Sequence, residues 1–288
     1  MGLLRVAAAV SAAGIGCIVW GLIEAKLFRT ALYQLPVLPK GASPIEILQL
    51  SDLHLRTDFK KLTRFVRSLG AETYDFVLAT GDLLGEPGAV DVCASILNSL
   101  AARHGRFVVF GSSDYFAPTF KNYMDYFLGR RRHGTKKNPT EHFLRQLTAA
   151  GWTDLTNRTT FTEGGGLVIQ WTGMDDPYLK RDDRSVLVRG ASAEVAICVV
   201  HDPAPYLDTA HAGFDLQVSG HTHGGQVRFP FVGAVVTNSS LPRQLARGPS
   251  KVDGSWLFVT PGLGTGRFAP FRFMCRPEAS ILRLVARS

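Results

Sequence analysis

Five times in this chain a short apolar run ends in a residue able to hold a metal ion. IEILQLS is followed by Asp52 and His54, FVLATG by Asp82, FVVFGSS by Asp114, VAICVV by His201, and FDLQVSG by His221 and His223. Runs of this length and apolarity read as buried strands, and in open α/β sheets the carboxyl ends of the strands form the ligand crevice. Acids and imidazoles remote in sequence are thereby aimed at one edge. A fold that satisfies this pattern must gather several strand ends at a single place.

The segments between the runs complete the picture. Residues 60–69 and 90–100 carry a helical period between the strand-like segments 45–50, 76–79 and 107–110, which makes the first half a succession of β-α-β units. In the second half, strand-like runs at 155–171, 195–200, 214–218, 226–231, 256–259 and 281–285 are separated by Gly and Pro turns, the mark of a mixed sheet with antiparallel parts. The expected class is α/β (α+β), two mixed sheets packed face to face with helices outside. Upstream, residues 6–23 form 18 consecutive uncharged positions flanked by Arg5 and by Glu24, Lys26 and Arg29. That run reaches the length of a membrane-spanning helix, and no small-x-small cleavage site follows Ile23. Residues 1–30 are therefore expected as an uncleaved, single-pass N-terminal anchor that makes the protein membrane-associated, with basic residues on both sides leaving its orientation open. Pro36, Pro39, Gly41 and Pro44 suggest an extended linker over residues 31–44, which leaves 45–288 as the catalytic body.

Composition narrows the functional classes. Hydrophobic residues make up 45% of 288, a globular value that excludes disordered and collagen-like chains. Cys17, Cys93, Cys198 and Cys275 are scattered without a CxxC pair, so neither a disulfide scaffold nor a cysteine zinc site is expected. The formal charge of +8 favours anionic partners. Arg130, Arg131, Arg132, Lys136 and Lys137 form a basic stretch that reads either as a solvated loop or as a lip attracting phosphate or acidic lipid. Nucleic acid is not an expected partner, because no long stretch interleaves aromatic with basic residues as a single-strand groove requires.

Each motif alone is weak, since Asp-x-His and Gly-Asp after a strand are ordinary turn chemistry. Their combined order is not. Asp52-Leu53-His54, Gly81-Asp82, the lone His201 and Gly220-His221-Thr222-His223 together resemble the calcineurin-like metallophosphoesterase family, from Ile45 to the C terminus. The extended GHTHGGQ form resembles a branch that includes membrane-associated phosphodiesterases and UDP-diacylglucosamine pyrophosphatases. The resemblance implies a sandwich of two mixed β-sheets flanked by helices. It also implies two divalent metal ions, one held by Asp52, His54 and His223, the other by His201 and His221, with Asp82 bridging them at the centre of catalysis. Mixed carboxylate and imidazole ligands suit Mn, Fe or Zn better than Ca. Two such ions about 3.5–4 Å apart activate a shared hydroxide for in-line attack on phosphorus.

One motif departs from the family. Where Gly-Asn-His followed by Asp or Glu is usual, this chain has Gly111-Ser112-Ser113-Asp114. Ser112 is then at most a weak or water-mediated ligand, and Ser113 removes a general acid worth roughly 10²–10⁴-fold in rate. Asp114 is expected either to orient catalytic water or to cap the turn, and His211 is a second candidate acid. Gly173-Met174-Asp175-Asp176-Pro177 is an acidic turn that would flank the metals. The expected activity is hydrolysis of a phosphodiester, phosphomonoester or pyrophosphate bond in a phosphorylated small molecule or lipid-linked substrate at a membrane surface. The alternatives are a nuclease or nucleotide phosphodiesterase of the same fold, and a metal-binding scaffold weakened by Ser112 and Ser113.

Overall fold

A computed structural model describes residues 2–120, 136–237 and 239–287. Helix α1 (Gly2–Glu24) and strand β1 (Arg29–Leu38) lead into β2 (Ile45–Leu50), α2 (Lys60–Leu69), β3 (Thr73–Thr80), α3 (Val90–Asn98) and β4 (Ala101–Val109). A one-turn helix α4 (Ser112–Tyr115) precedes α5 (Thr140–Ala149), β5 (Thr153–Asp154), β6 (Arg158–Gly164), β7 (Leu167–Gly173), β8 (Val195–Val199), α6 (Tyr206–His211) and β9 (Leu216–Ser219). The ribbon β10 (Arg228–Phe229) and β11 (Gly233–Ala234), then β12 (Gly248–Val252), β13 (Ser255–Val259) and β14 (Glu278–Ala286), complete the order.

Two six-stranded mixed sheets result, in the orders β1-β14-β2-β3-β4-β5 and β12-β13-β9-β8-β7-β6. Within the first, β2, β3 and β4 are parallel neighbours joined by α2 and α3, since parallel strands need crossover connections. In the second, β7, β8, β9 and β13 are parallel, with antiparallel β6 and β12 at the two edges. The sheets meet across one apolar layer in which Ile47, Phe76 and Phe107 face Trp171, Ile197 and Phe258. The Trp171 ring lies 4.7 Å from both Phe76 and Phe107, centroid to centroid. Leu62 and Val66 of α2, Ile96 and Leu97 of α3 and Phe143 of α5 cover the outer face of the first sheet. Strands covered on both faces must be apolar throughout, which is why β2, β3 and β8 lack the alternation of half-exposed strands.

Two expectations for the N-terminal region are corrected. Residues 31–44 are not a linker: most of β1 falls there, paired in parallel with β14 from Arg29 opposite Glu278 to Leu35 opposite Leu284, with Leu35, Val37 and Leu38 buried. Pro36 is tolerated because β1 is an edge strand, where a missing N–H costs no ladder bond. Nor does the expected membrane anchor stand, since among the described residues no helix is long and apolar enough to cross a membrane. The last turn of α1 is instead tied to the body. Gly21 accepts a hydrogen bond from the Arg272 backbone (2.9 Å), and the buried Glu24 carboxylate accepts from Met274 N (2.9 Å) and Cys275 N (2.7 Å). The strand expected at 226–231 shrinks to β10.

Candidate metal centre

The carboxyl ends of β2, β3, β8 and β9 point the same way and bring the six candidate ligands into two triads. One ligand atom from each of Asp52, His54 and His223 lies within 4.8 Å of the other two, and the same holds for Asp82, His201 and His221. In the first triad His54 Nε2 is 3.2 Å from His223 Nε2, which is 3.6 Å from Asp52 Oδ1. In the second, His201 Nε2 is 3.3 Å from His221 Nδ1 and 3.4 Å from Asp82 Oδ2. The same Asp82 oxygen is 3.6 Å from His54 Nε2, so it stands between the triads.

This donor set fits a pair of divalent cations. Two imidazole nitrogens 3.2–3.3 Å apart bring lone pairs together unless a proton or a cation lies between them. Asp52 is fully buried, and its Oδ1 has no hydrogen-bond partner among the described residues. An isolated buried carboxylate oxygen is costly unless a cation meets it. Ring orientation agrees. His201 donates its Nδ1 proton to the Thr80 carbonyl (2.7 Å), which leaves the Nε2 lone pair for the triad, and His54 turns Nδ1 toward Ser113 Oγ at 3.3 Å. His221 presents Nδ1 to the triad and turns Nε2 toward Asp202 Oδ2, 3.7 Å away.

The backbone bends sharply to achieve this. Asp52, His54, Asp82, His221 and His223 all have positive φ, between 40° and 67°. Each left-handed L-residue costs about 1–2 kcal/mol, and such strain is typically stored at functional sites. Close approach explains the neighbouring glycines. A Cβ on Gly111 would lie 2.4 Å from Asp82 Oδ1, and one on Gly262, itself at φ 64°, would lie 2.6 Å from Asp52 Cβ.

Charges within the cluster shape one another. Burial alone would raise Asp82, but His201, and then His54 and His221, hold it well below the usual carboxylate range. Burial alone would lower His201, yet Asp82 above all, with Asp52 and Asp176, lifts it well above the ordinary histidine value. His223 is pushed down to about 3 by burial, with His54 and Arg272 adding to the effect against the pull of Asp52. Its imidazole is therefore neutral at physiological pH, the form that ligates metal.

The GSSD segment is used differently from its expected role. Asp114 is buried, and its Oδ1 accepts from Leu83 N (2.8 Å) and Leu84 N (3.0 Å) while Oδ2 accepts from Gly111 N (2.9 Å). Both oxygens are committed to the backbone, so the water-orienting role expected of Asp114 gives way to that of a clamp on the strand ends flanking Asp82. Burial pushes Asp114 up to about 7, with Asp82 adding to it and the Gly111 and Leu84 amides opposing. Ser112 opens α4 at this strand end. Ser113 reaches the centre instead, its N–H donating to Asp82 Oδ1 at 2.8 Å. His211, the other candidate acid, is a surface residue paired with Asp253 (3.2 Å). Arg130, Arg131 and Arg132 lie outside the described residues.

Two contributors escaped the sequence reading. Asp202 was legible only as the neighbour of His201. Arg272, in the FRFM run, carried no signal at all. It is fully buried and donates to the carbonyls of Pro261 (2.8 Å) and Gly262 (3.1 Å) and, through Nε, of Gly264 (3.2 Å). That loop is laid against the Asp52 strand end by Leu263 N to Ser51 O (3.1 Å) and Gly264 N to Asp52 O (2.6 Å).

Comparison with known proteins gives a consistent set of matches. A family model described as calcineurin-like phosphoesterase matches residues 45–225. The chain is 27% identical over 255 residues to the uncharacterized metallophosphoesterase YkuE of Bacillus subtilis, covering 86% of this chain and 82% of that one. It is also 27% identical over 263 residues to the phosphodiesterase YaeI of Escherichia coli, covering 90% and 88% respectively. Among solved structures, the NAD nucleotidase NadN of Haemophilus influenzae superposes with a TM-score of 0.47 at 12% identity, over 77% of this chain and 46% of that one.

Proposed function

This chain belongs to the calcineurin-like phosphoesterase family and is a metallophosphoesterase, hence a hydrolase, and we propose that it cleaves a phosphodiester or pyrophosphate bond using two divalent cations, Mn first, with Fe or Zn as the alternatives. The observation that carries this reading is the place of Asp82 Oδ2, within 3.4–3.6 Å of one histidine from each triad. Cations held there lower the pKa of water and offset charge developing on the phosphoryl oxygens. Asp52, His54 and His223 would hold one cation, His201 and His221 the other, and Asp82 would serve both. Thr80 O, Ser113 Oγ and Asp202 lie beside the outer nitrogens of His201, His54 and His221, so that the inner nitrogens face the triads. The Ser113 N–H on Asp82 Oδ1 leaves Oδ2 to face both triads.

For the substrate, two features favour a phosphorylated compound that carries an apolar, lipid-like portion. The net charge of +8 favours an anion. The ribbon β10–β11, which begins five residues after His223, exposes Phe229, Phe231 and Val232. The test is turnover of bis-p-nitrophenyl phosphate by the full chain in excess Mn, followed by competition between a diacylglycerol-bearing pyrophosphate and a soluble nucleotide diphosphate ester. Asp82→Asn is expected to reduce turnover at least 10³-fold. A protein that retains both cations yet hydrolyses nothing with Mn, Fe or Zn is a scaffold, and the enzymatic proposal then fails for this chain. Preference for the soluble ester overturns the lipid assignment alone.

A further inference from the structure

The two aspartates that follow β7 are treated differently by their surroundings. Asp175 is saturated: Oδ1 accepts from the Tyr115 hydroxyl and from Asp176 N, and Oδ2 from Arg181 Nε, each at 2.8 Å. It bolts the acidic turn to α4. Asp176 is fully buried, its Oδ1 accepts from Tyr178 N at 3.2 Å, and its Oδ2 has no hydrogen-bond partner among the described residues. Burial pushes this carboxyl up to about 6, and the charged groups next in influence on it are His201, His221 and Asp82, which make up the second triad.

A buried carboxylate oxygen without a donor is a liability in a fold that satisfies its neighbour completely. A cation nearby removes it. The second triad has the greater need of support, because its single carboxylate, Asp82, also stands 3.6 Å from His54 of the first, and the strand end nearest to it offers the neutral hydroxyl of Ser112. Asp176 does not fall within the 4.8 Å that gathers Asp82, His201 and His221, so it does not belong to the triad itself. We propose that Asp176 supports the cation of the second triad from outside, its Oδ2 supplying the negative charge that Ser112 does not. Asp176 is thus a positioning residue, and the inference rests on the two-cation reading above.

The experiment is a Mn titration of the full chain after removal of metal by a chelator, with free Mn followed by electron paramagnetic resonance. Wild type is expected to take up two ions. Asp176→Asn, which keeps shape but removes the charge, is expected to leave the tighter ion unchanged and to weaken the other roughly 10–100-fold, the range seen when an outer partner of a metal ligand is lost. Its metal-free melting temperature should equal that of wild type. Two ions bound with wild-type affinity overturn the proposal, as does equal weakening of both ions accompanied by a lower metal-free melting temperature, which marks a purely structural role. Should Asp176→Asn not fold, Asp176→Ser takes its place. Failure of both to fold overturns the proposal as well, since the carboxylate is then needed for the fold. A wild type that binds one ion or none sinks the two-cation reading and this inference with it, an outcome distinct from a variant that matches a two-ion wild type.

Discussion

Asp114→Asn separates a clamp from a catalyst. The substitution preserves volume and one acceptor oxygen, which can still serve Leu83 N and Leu84 N, but it turns an NH₂ group toward Gly111 N, where Oδ2 now accepts at 2.9 Å. One hydrogen bond is lost, worth about 0.5–1.5 kcal/mol, and buried donors are left facing each other at a further cost of about 1–3 kcal/mol. The sum, about 1.5–4.5 kcal/mol, corresponds to a fall in melting temperature on the order of 10 °C for a domain of this size. The pH dependence has a definite sign. Burial pushes the Asp114 carboxyl up to about 7, above its value in the unfolded chain. The stability this group contributes is therefore complete below the unfolded pKa and is lost as pH rises through about 7. Asparagine does not titrate, so the gap between wild type and variant is widest near pH 5 and narrows toward pH 8. Thermal unfolding of the metal-free proteins, followed by circular dichroism at pH 5, 6, 7 and 8, measures it. A variant melting within 2 °C of wild type at every pH refutes the clamp, and one that keeps full stability but loses turnover returns Asp114 to the chemistry.

Two further perturbations probe the strained strand ends. Gly262→Ala adds a methyl 2.6 Å from Asp52 Cβ at a backbone φ of 64°, so it should destabilise the fold by roughly 2 kcal/mol or more and weaken the first triad's ion; denaturant unfolding and metal counting at wild-type values would contradict the packing described. Metal removal should lower the melting temperature markedly, because each ion present at 1,000 times its Kd adds about 4 kcal/mol; calorimetric scans that coincide with and without chelator would show that the triads do not bind cations in the folded state.

How far the sequence revealed this arrangement can be traced residue by residue. Asp52, His54, Asp82, His201, His221 and His223 were legible because buried parallel strands are uniformly apolar, so the polar residue after each run stands out. The helix at 60–69 was equally plain from its period. Strand β1 was not, because its proline, and Pro39, Gly41 and Pro44 beyond it, carry the composition of a linker; only the pairing with β14 shows the edge position that makes Pro36 harmless. Residues 6–23 were read by absence of charge, whereas among the described residues no helix is long and apolar enough to cross a membrane. Asp114 was picked out by motif, but a carboxylate's direction depends on which backbone amides surround it, and these follow β3 and β4 at once. Arg272 was invisible because its acceptors are carbonyls, which no side-chain pattern announces.

The pairing of β1 with β14 has a consequence for biosynthesis. Arg29 and Glu278 are 249 residues apart, and β14 is inserted between β1 and β2 in the sheet. On the ribosome, β1 must wait for a partner made 249 residues later, with Leu35, Val37 and Leu38 lacking that strand in the meantime. Unpaired apolar strand edges invite association with other chains. Completion of the first sheet consequently waits until Glu278–Ala286 have been made, and until then the β1 edge is the part of the nascent protein most in need of a chaperone.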